Sequence, residues 1–370
     1  MILRHKRYCL QCYSIIERNQ KPKTETTSTS YSSAPAPVQP KHNEIIEAPK
    51  LNPPASEESK YRLEKKASLI KGASKKLSVF ILNTTNDVQS QILREDPLIN
   101  YKIEEQLYAS ENITVFTVKS LSNGKTFSMK KILPKDNEER MNIFEEANLH
   151  LTTFHSNLIK YHAVYSFDSH FWIILESHEG ILYDLLTSNA GYIPEKHMSY
   201  ICKEILKGLD YLHSAGRIHR DIKSRNVVLF QNGDVKLGDF GYAAQVAEEY
   251  NLSKHNPSWM APELIMGKDY NESVDLWSLG ILLLEIAEGS PPYDGESYEV
   301  VMQNILVNPA PKLRNKLKWS KDMTNFLSLC LRKSPIERLS AKSLLMHPFI
   351  EENDEQTSKE QFSEYYSQSR

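Results

Sequence analysis

Two carboxylates, an amine and an amide stand close together in one part of this sequence, in types that suit hydroxyl and metal chemistry. The segment Ile218–Phe230 reads IHRDIKSRNVVLF, with Lys223 two residues and Asn226 five residues after Asp221. The next stretch, GDVKLGDFG from Gly233 to Gly241, ends a strand-like run on Asp239. Presented from loops at the ends of a small hairpin, these groups can orient a hydroxyl and hold Mg²⁺ on oxygen ligands.

Groups of this kind need a frame to hold them. From about Asp96 the chain runs in short alternating segments, YKIEEQL, ITVFTVKS, KTFSMKKI, LIKYHAVYSF and FWIILES, with a turn at SNGK. This pattern predicts an antiparallel sheet of about five strands, interrupted by one helix between Asn137 and Phe154. Beyond Ser177 the apolar spacing becomes helical, as in Met198, Ile201, Ile205, Leu209 and Leu212 behind Pro194. The run ILLLEIA, Ile281 to Ala287, reads as a buried core helix, far too short to span a membrane. The expected class is α+β, with a small antiparallel sheet lobe carrying one helix and a larger, mainly helical lobe. The break falls near Glu176 to Gly180, and the cleft it creates is where a small ligand would sit.

The ends of the chain differ from the middle. Between Pro22 and Pro54 lie seven of the eighteen prolines and the run TETTSTSYSS, so residues 1–95 are expected to be a largely disordered extension. Residues 351–370 are polar and are expected to be a disordered tail, leaving 96–350 as the folded domain. A formal charge of −2 gives no general attraction to nucleic acid. The four cysteines suit a reducing compartment, cytoplasmic with the nucleus as the second choice. Cys9 and Cys12 have no second pair at metal-ligand spacing.

Further motifs follow the catalytic stretch in order: APE at Ala261–Glu263, DLWSLG at Asp275–Gly280, and ERLSA with Arg338. Over roughly Asp96 to Phe349 the sequence resembles the eukaryotic protein kinases. HRDIKS, DFGYAAQ and SWMAPEL are most similar to the PAK-like, sterile-type serine/threonine kinases. The resemblance implies a two-lobed kinase fold, ATP and Mg²⁺ as cofactors and protein substrates. No regulatory GTPase-binding motif of that group stands upstream, so its mode of activation is not carried over, and the N-terminal extension is left as a place where a regulatory protein could bind. It gives Asp221 the role of orienting the acceptor hydroxyl, Lys223 that of steadying the transferring phosphoryl group, and Asn226 and Asp239 those of Mg²⁺ ligands. Lys130 on FSMKKI becomes the phosphate-binding lysine, ion-paired to Glu146 with Glu145 as the near alternative. Val115 and Leu175 join the adenine pocket, and Glu176 to His178 form the hinge. His219 and Asp275 brace the catalytic loop, and Glu263 pairs with Arg338.

Two departures stand out. The glycine-rich lid is replaced by LYASENITVF, with Tyr108, Ser110 and Ile113 at the glycine positions. If that turn needs a left-handed residue, a non-glycine costs roughly 1–2 kcal/mol, about tenfold in nucleotide affinity. The activation segment has Asn256 in place of a threonine; Tyr250 and Ser253 could take a phosphate for Arg220 to bind, or Glu248 and Glu249 could stand in for one. Arg225 stands where PAK-like sequences often have aspartate. The reading is a serine/threonine protein kinase with weakened nucleotide affinity, and its alternative is a pseudokinase that scaffolds a complex.

Overall fold

The computed structural model describes residues 92–188, 192–238, 244–245, 256–351 and 355–369. The expectations for the N-terminal extension, for Cys9 and Cys12, for Asp239, and for Glu248, Glu249, Tyr250 and Ser253 lie outside them.

The alternating runs form the strands they predict: β1 (Ile92–Leu93), β2 (Tyr101–Ala109), β3 (Ile113–Ser120), β4 (Thr126–Ile132), β5 (Tyr161–Phe167) and β6 (His170–Glu176). They make one sheet in the order β1-β5-β6-β4-β3-β2. Five strands are antiparallel; the sixth, β1, runs parallel to β5 and moves the folded boundary back from residue 96. Alternation sends Val118, Phe127, Met129, Tyr165, Trp172 and Ile174 to a buried cluster on one face. The other face carries α1 (Asn137–Thr152), which starts where Asp136 accepts the Glu139 N–H (2.7 Å) and buries Ile143 and Ala147.

Past the hinge, β7 (Gly180–Ile181) leads into α2 (Leu182–Thr187) and α3 (Glu195–Ser214). The short strands β8 (Arg217–Ile218), β9 (Val227–Leu229) and β10 (Val235–Leu237) follow. The helical lobe continues through α4 (Pro262–Ile265), α5 (Ser273–Glu288), α6 (Tyr298–Val307), α7 (Lys321–Cys330), α8 (Ala341–Leu345) and α9 (Pro348–Glu351). The run from Ile281 lies in α5, which is buried from Ser273 to Ile286 and ends at Gly289 in the left-handed conformation (φ 84°). Arg338 grips Glu263 with two parallel bonds of 2.5 and 2.8 Å, the ion pair expected between them. Cys202 on α3 and Cys330 on α7 are free, fully buried thiols, and burial pushes the Cys202 pKa up to about 12.

The tail is not the disordered segment that its polarity suggested. Residues Glu355–Gln368 form a helix, α10, and the apolar pair Phe362 and Tyr366 falls on one face at i, i+4 spacing. Both are buried, with Phe362 against Tyr200 (5.4 Å between centroids) and Tyr365 stacked on His197 (4.6 Å). Burial, with Lys196 nearby, pulls the His197 pKa down to about 4, so the ring under the helix is neutral.

Candidate active site

The catalytic loop runs from β8 to β9 and is held from beneath by one carboxylate. Asp275, fully buried at the start of α5, accepts the backbone N–H groups of His219 (2.8 Å) and Arg220 (2.7 Å) and a bond from His213 Nε2 (2.8 Å). Burial alone would raise its pKa, but these bonds and the His213 charge outweigh that and hold the carboxyl below its ordinary range. The anchoring sustains a left-handed backbone at Arg220 (φ 68°), a conformation that costs a non-glycine residue roughly 1–2 kcal/mol. His219 Nδ1 accepts the Asp221 N–H (3.3 Å), which leaves Nε2 to donate to the Gly238 carbonyl (3.2 Å).

Asp221 Oδ2 is gripped from two sides. Lys223 Nζ lies 2.8 Å from it and Asn226 Nδ2 donates to it at 2.7 Å, while the same amide also donates to the Asp221 carbonyl (2.8 Å). Committing its N–H₂ this way leaves Asn226 to present its side-chain oxygen, the donor a hard cation takes. Gly238 N–H bonds to the Asn226 carbonyl (2.9 Å), tying the end of the β10 strand, one residue before Asp239, to the loop. The donor set therefore fits Mg²⁺ as far as the described residues go.

Beneath this loop Glu285 on α5 accepts bonds from the Ser224 hydroxyl, the Ser224 N–H (3.3 Å) and Trp259 Nε1 (3.0 Å). Burial pushes its pKa up to about 7 despite those bonds and the Arg225 charge. Arg225 has a packing role here: its guanidinium lies 3.4 Å from the Tyr183 ring centroid, and its charge faces Glu285. Asn256 is equally local, its side chain accepting the Ser258 N–H (3.0 Å) to cap the turn Pro257–Trp259.

In the sheet lobe, alternation puts Thr126, Ser128 and Lys130 of β4 on the cleft side. Register sets Lys130 between Val115 and Ile173, and Ser128 between Thr117 and Leu175. They line a cavity of about 100 Å³, closed by Leu107 and by the hinge residues Ser177 to Gly180. Val115, Lys130, Leu175 and His178 are thus in its wall. Glu176 is not in the wall; its carboxylate is turned to Lys236 (2.7 Å) and the Lys160 N–H (2.8 Å). Leu107, Thr117 and Ser128 were missed from the sequence; counting back by twos from Lys130 would have found Ser128.

Lys130 and Glu146 are both buried, at 4% and 6% exposure, yet they are not joined. Glu146 Oε1 instead accepts the Tyr161 hydroxyl (2.7 Å), which draws the carboxylate toward β5. Stacking of Tyr161 on His150 (3.6 Å) fixes that phenol in place.

The lid corrects another expectation. Ser110 and Ile113 close a tight hairpin over Glu111 and Asn112: the Ser110 N–H donates to the Ile113 carbonyl (2.7 Å), and the Ser110 hydroxyl accepts the Ile113 N–H (3.1 Å). Leu133 N–H pins the Asn112 carbonyl to the end of β4 (2.8 Å). No residue of this turn has a positive φ, so the left-handed penalty for a missing glycine does not apply. The backbone of Tyr108 pairs with Val115, and Ser110 and Ile113 stand outside the cavity wall.

Comparison with known proteins agrees with this geometry. The family profile described as Protein kinase domain matches residues 101–350. Serine/threonine-protein kinase 1 of Arabidopsis thaliana is 36% identical over 275 residues, 72% of this chain and 33% of the plant protein. Serine/threonine-protein kinase pakC of Dictyostelium discoideum is 37% identical over 287 residues, 76% of this chain and 60% of its own length. Serine/threonine-protein kinase pakA of Talaromyces marneffei is 36% identical over 261 residues, 69% and 40% of the two chains. The chain thus spans between a third and three fifths of these relatives. A match that runs through both lobes and carries the whole catalytic loop makes this chain a member of the protein kinase family.

Proposed function

We propose that the chain transfers the γ-phosphate of ATP to serine or threonine hydroxyls of proteins. The observation that carries this reading is the fixed Asp221 carboxylate, held at 2.8 Å by Lys223 and at 2.7 Å by Asn226 in a loop anchored to the core. Asp221 aligns the acceptor hydroxyl and takes its proton as the oxygen attacks phosphorus. Lys223, already beside that carboxylate, offsets the negative charge of the transferring group. Asn226 and Asp239 would hold Mg²⁺, which when bound neutralises charge on the phosphates. Lys130 binds the phosphates from the sheet side, and Glu146, with one oxygen on the Tyr161 hydroxyl, has the other to pair with it. The base lies between Val115 and Leu175, against the hinge at Glu176 and His178. Among the described residues no helix is long and apolar enough to cross a membrane.

The test is radiolabel transfer to a basic protein substrate by the full chain and by Asp221→Asn. The substitution should lower transfer by about 10²–10⁴-fold and leave ATP affinity within about threefold. Equal activity in the mutant would remove the assignment, and nucleotide binding without transfer by the unmodified chain would favour a scaffold.

A further inference from the structure

The C-terminal helix touches the nucleotide cleft through a contact that neither the fold nor the catalytic loop requires. Gly180 lies in the wall of the cavity and begins β7, pairing with Leu229. A Cβ built on Gly180 would lie 2.6 Å from the Tyr366 hydroxyl, so that hydroxyl sits against the hinge backbone and any side chain at position 180 would displace it. The same closeness recurs two turns back along the same face of the helix. At Gly233, in the turn between β9 and β10, a Cβ would lie 2.5 Å from the Lys359 carbonyl oxygen, and φ is 86°. Lys359 also pairs with Asp234 (2.5 Å), and the Ser363 hydroxyl donates to the Gln231 carbonyl (2.6 Å). The helix therefore spans from the hinge to the far end of the hairpin whose near end carries Asn226.

We propose that Tyr366 is a positioning residue of the nucleotide site. Its ring is buried and stacked on Phe362 at an interplanar angle of 7°, and its hydroxyl braces Gly180 so that the hinge backbone keeps the place from which it meets the base. Phe362, fully buried against Tyr200, supplies the anchorage. The inference rests on the nucleotide reading of the cleft.

The experiment uses the full chain, with Tyr366→Phe, Tyr366→Ala and, as a control remote from the hinge, Lys359→Ala. Tyr366→Phe keeps the ring on Phe362 but removes the atom that meets Gly180, so melting temperature should stay within about 2 °C while KM for ATP rises about two- to threefold. Tyr366→Ala should raise KM about five- to tenfold with kcat within about twofold, and should speed amide exchange across residues 176–181. Lys359→Ala should leave KM and hinge exchange as they are. A fall in stability for Tyr366→Ala with KM and hinge exchange both unchanged would reduce Tyr366 to a packing residue and overturn the proposal. If the unmodified chain binds no ATP, the nucleotide reading falls, and exchange at 176–181 alone then decides whether Tyr366 braces the hinge.

Discussion

The two sides of the cleft are prepared to different degrees. On the helical side the catalytic loop is tied down at several points: Asp275 holds the backbone of His219 and Arg220, Glu285 holds Ser224, and within the loop Lys223 and Asn226 hold Asp221. On the sheet side Lys130 and Glu146 are both buried, and one carboxylate oxygen of Glu146 is taken by the Tyr161 hydroxyl. Such a difference teaches where activity can be adjusted. A loop fixed by buried bonds cannot move without unfolding part of the lobe, whereas exchanging one phenol for one ammonium costs little.

The largest effect expected from this comparison is on stability. Asp275→Asn leaves one acceptor oxygen where two served three donors and should cost about 3 kcal/mol in urea unfolding. Lys130→Met, which exchanges a buried ammonium for an apolar chain of similar length, should be neutral within about 1 kcal/mol yet remove most transfer. Equal stability losses in the two variants would erase the distinction between the sides.

A pH experiment sharpens it next. Glu285 is pushed from 4.5 to about 7 in the fold, so the folded state holds a proton that the unfolded chain has lost. Its contribution is full below pH 4.5 and disappears as pH rises through about 7. Glu285→Gln, which can still accept from Ser224 and Trp259 and faces the same Arg225, should flatten the urea midpoint over that window. Asp275 has the opposite slope, since its depressed pKa adds stability that is lost only in acid. A midpoint that still falls between pH 4.5 and 7 in the variant would assign the titration elsewhere.

Smaller effects belong to the sheet side. Tyr161→Phe releases Glu146 for Lys130 and should raise kcat/KM for ATP by about threefold; lower activity would mean that the phenol positions the carboxylate productively. Glycines introduced together at Tyr108, Ser110 and Ile113 should leave ATP affinity within about twofold. They relieve no left-handed strain and remove the Ser110 hydroxyl that closes the hairpin. A tenfold gain would restore the steric account of the lid.

Much of the helical lobe was legible because its motifs are local in sequence. His219 to Asn226 form one continuous loop, and the Arg338 and Glu263 pairing came with the resemblance carried by APE and ERLSA. The lid was misjudged because a glycine motif is a proxy for backbone geometry, and a hairpin sealed by Ser110 reaches a turn with negative φ throughout. The Tyr161 hydroxyl on Glu146 was not legible, because Tyr161 is brought there by tertiary packing. The tail was misjudged on composition, although FSEYY contains the i, i+4 aromatic pair that docks it. Two residues of β1 carry too little pattern to be read at all.

The buried thiols offer a clock. Cys202 and Cys330 sit on different helices of the large lobe, and burial raises both pKa values, that of Cys202 to about 12. Because the thiolate is the species that alkylates, neither sulfur can react with iodoacetamide until its helix opens to solvent. Modification at these two positions, followed by mass spectrometry, thus times the opening of the helical lobe in the native protein. Slowing by ATP and Mg²⁺ would report how far a ligand held at the cleft is felt in the core beneath it.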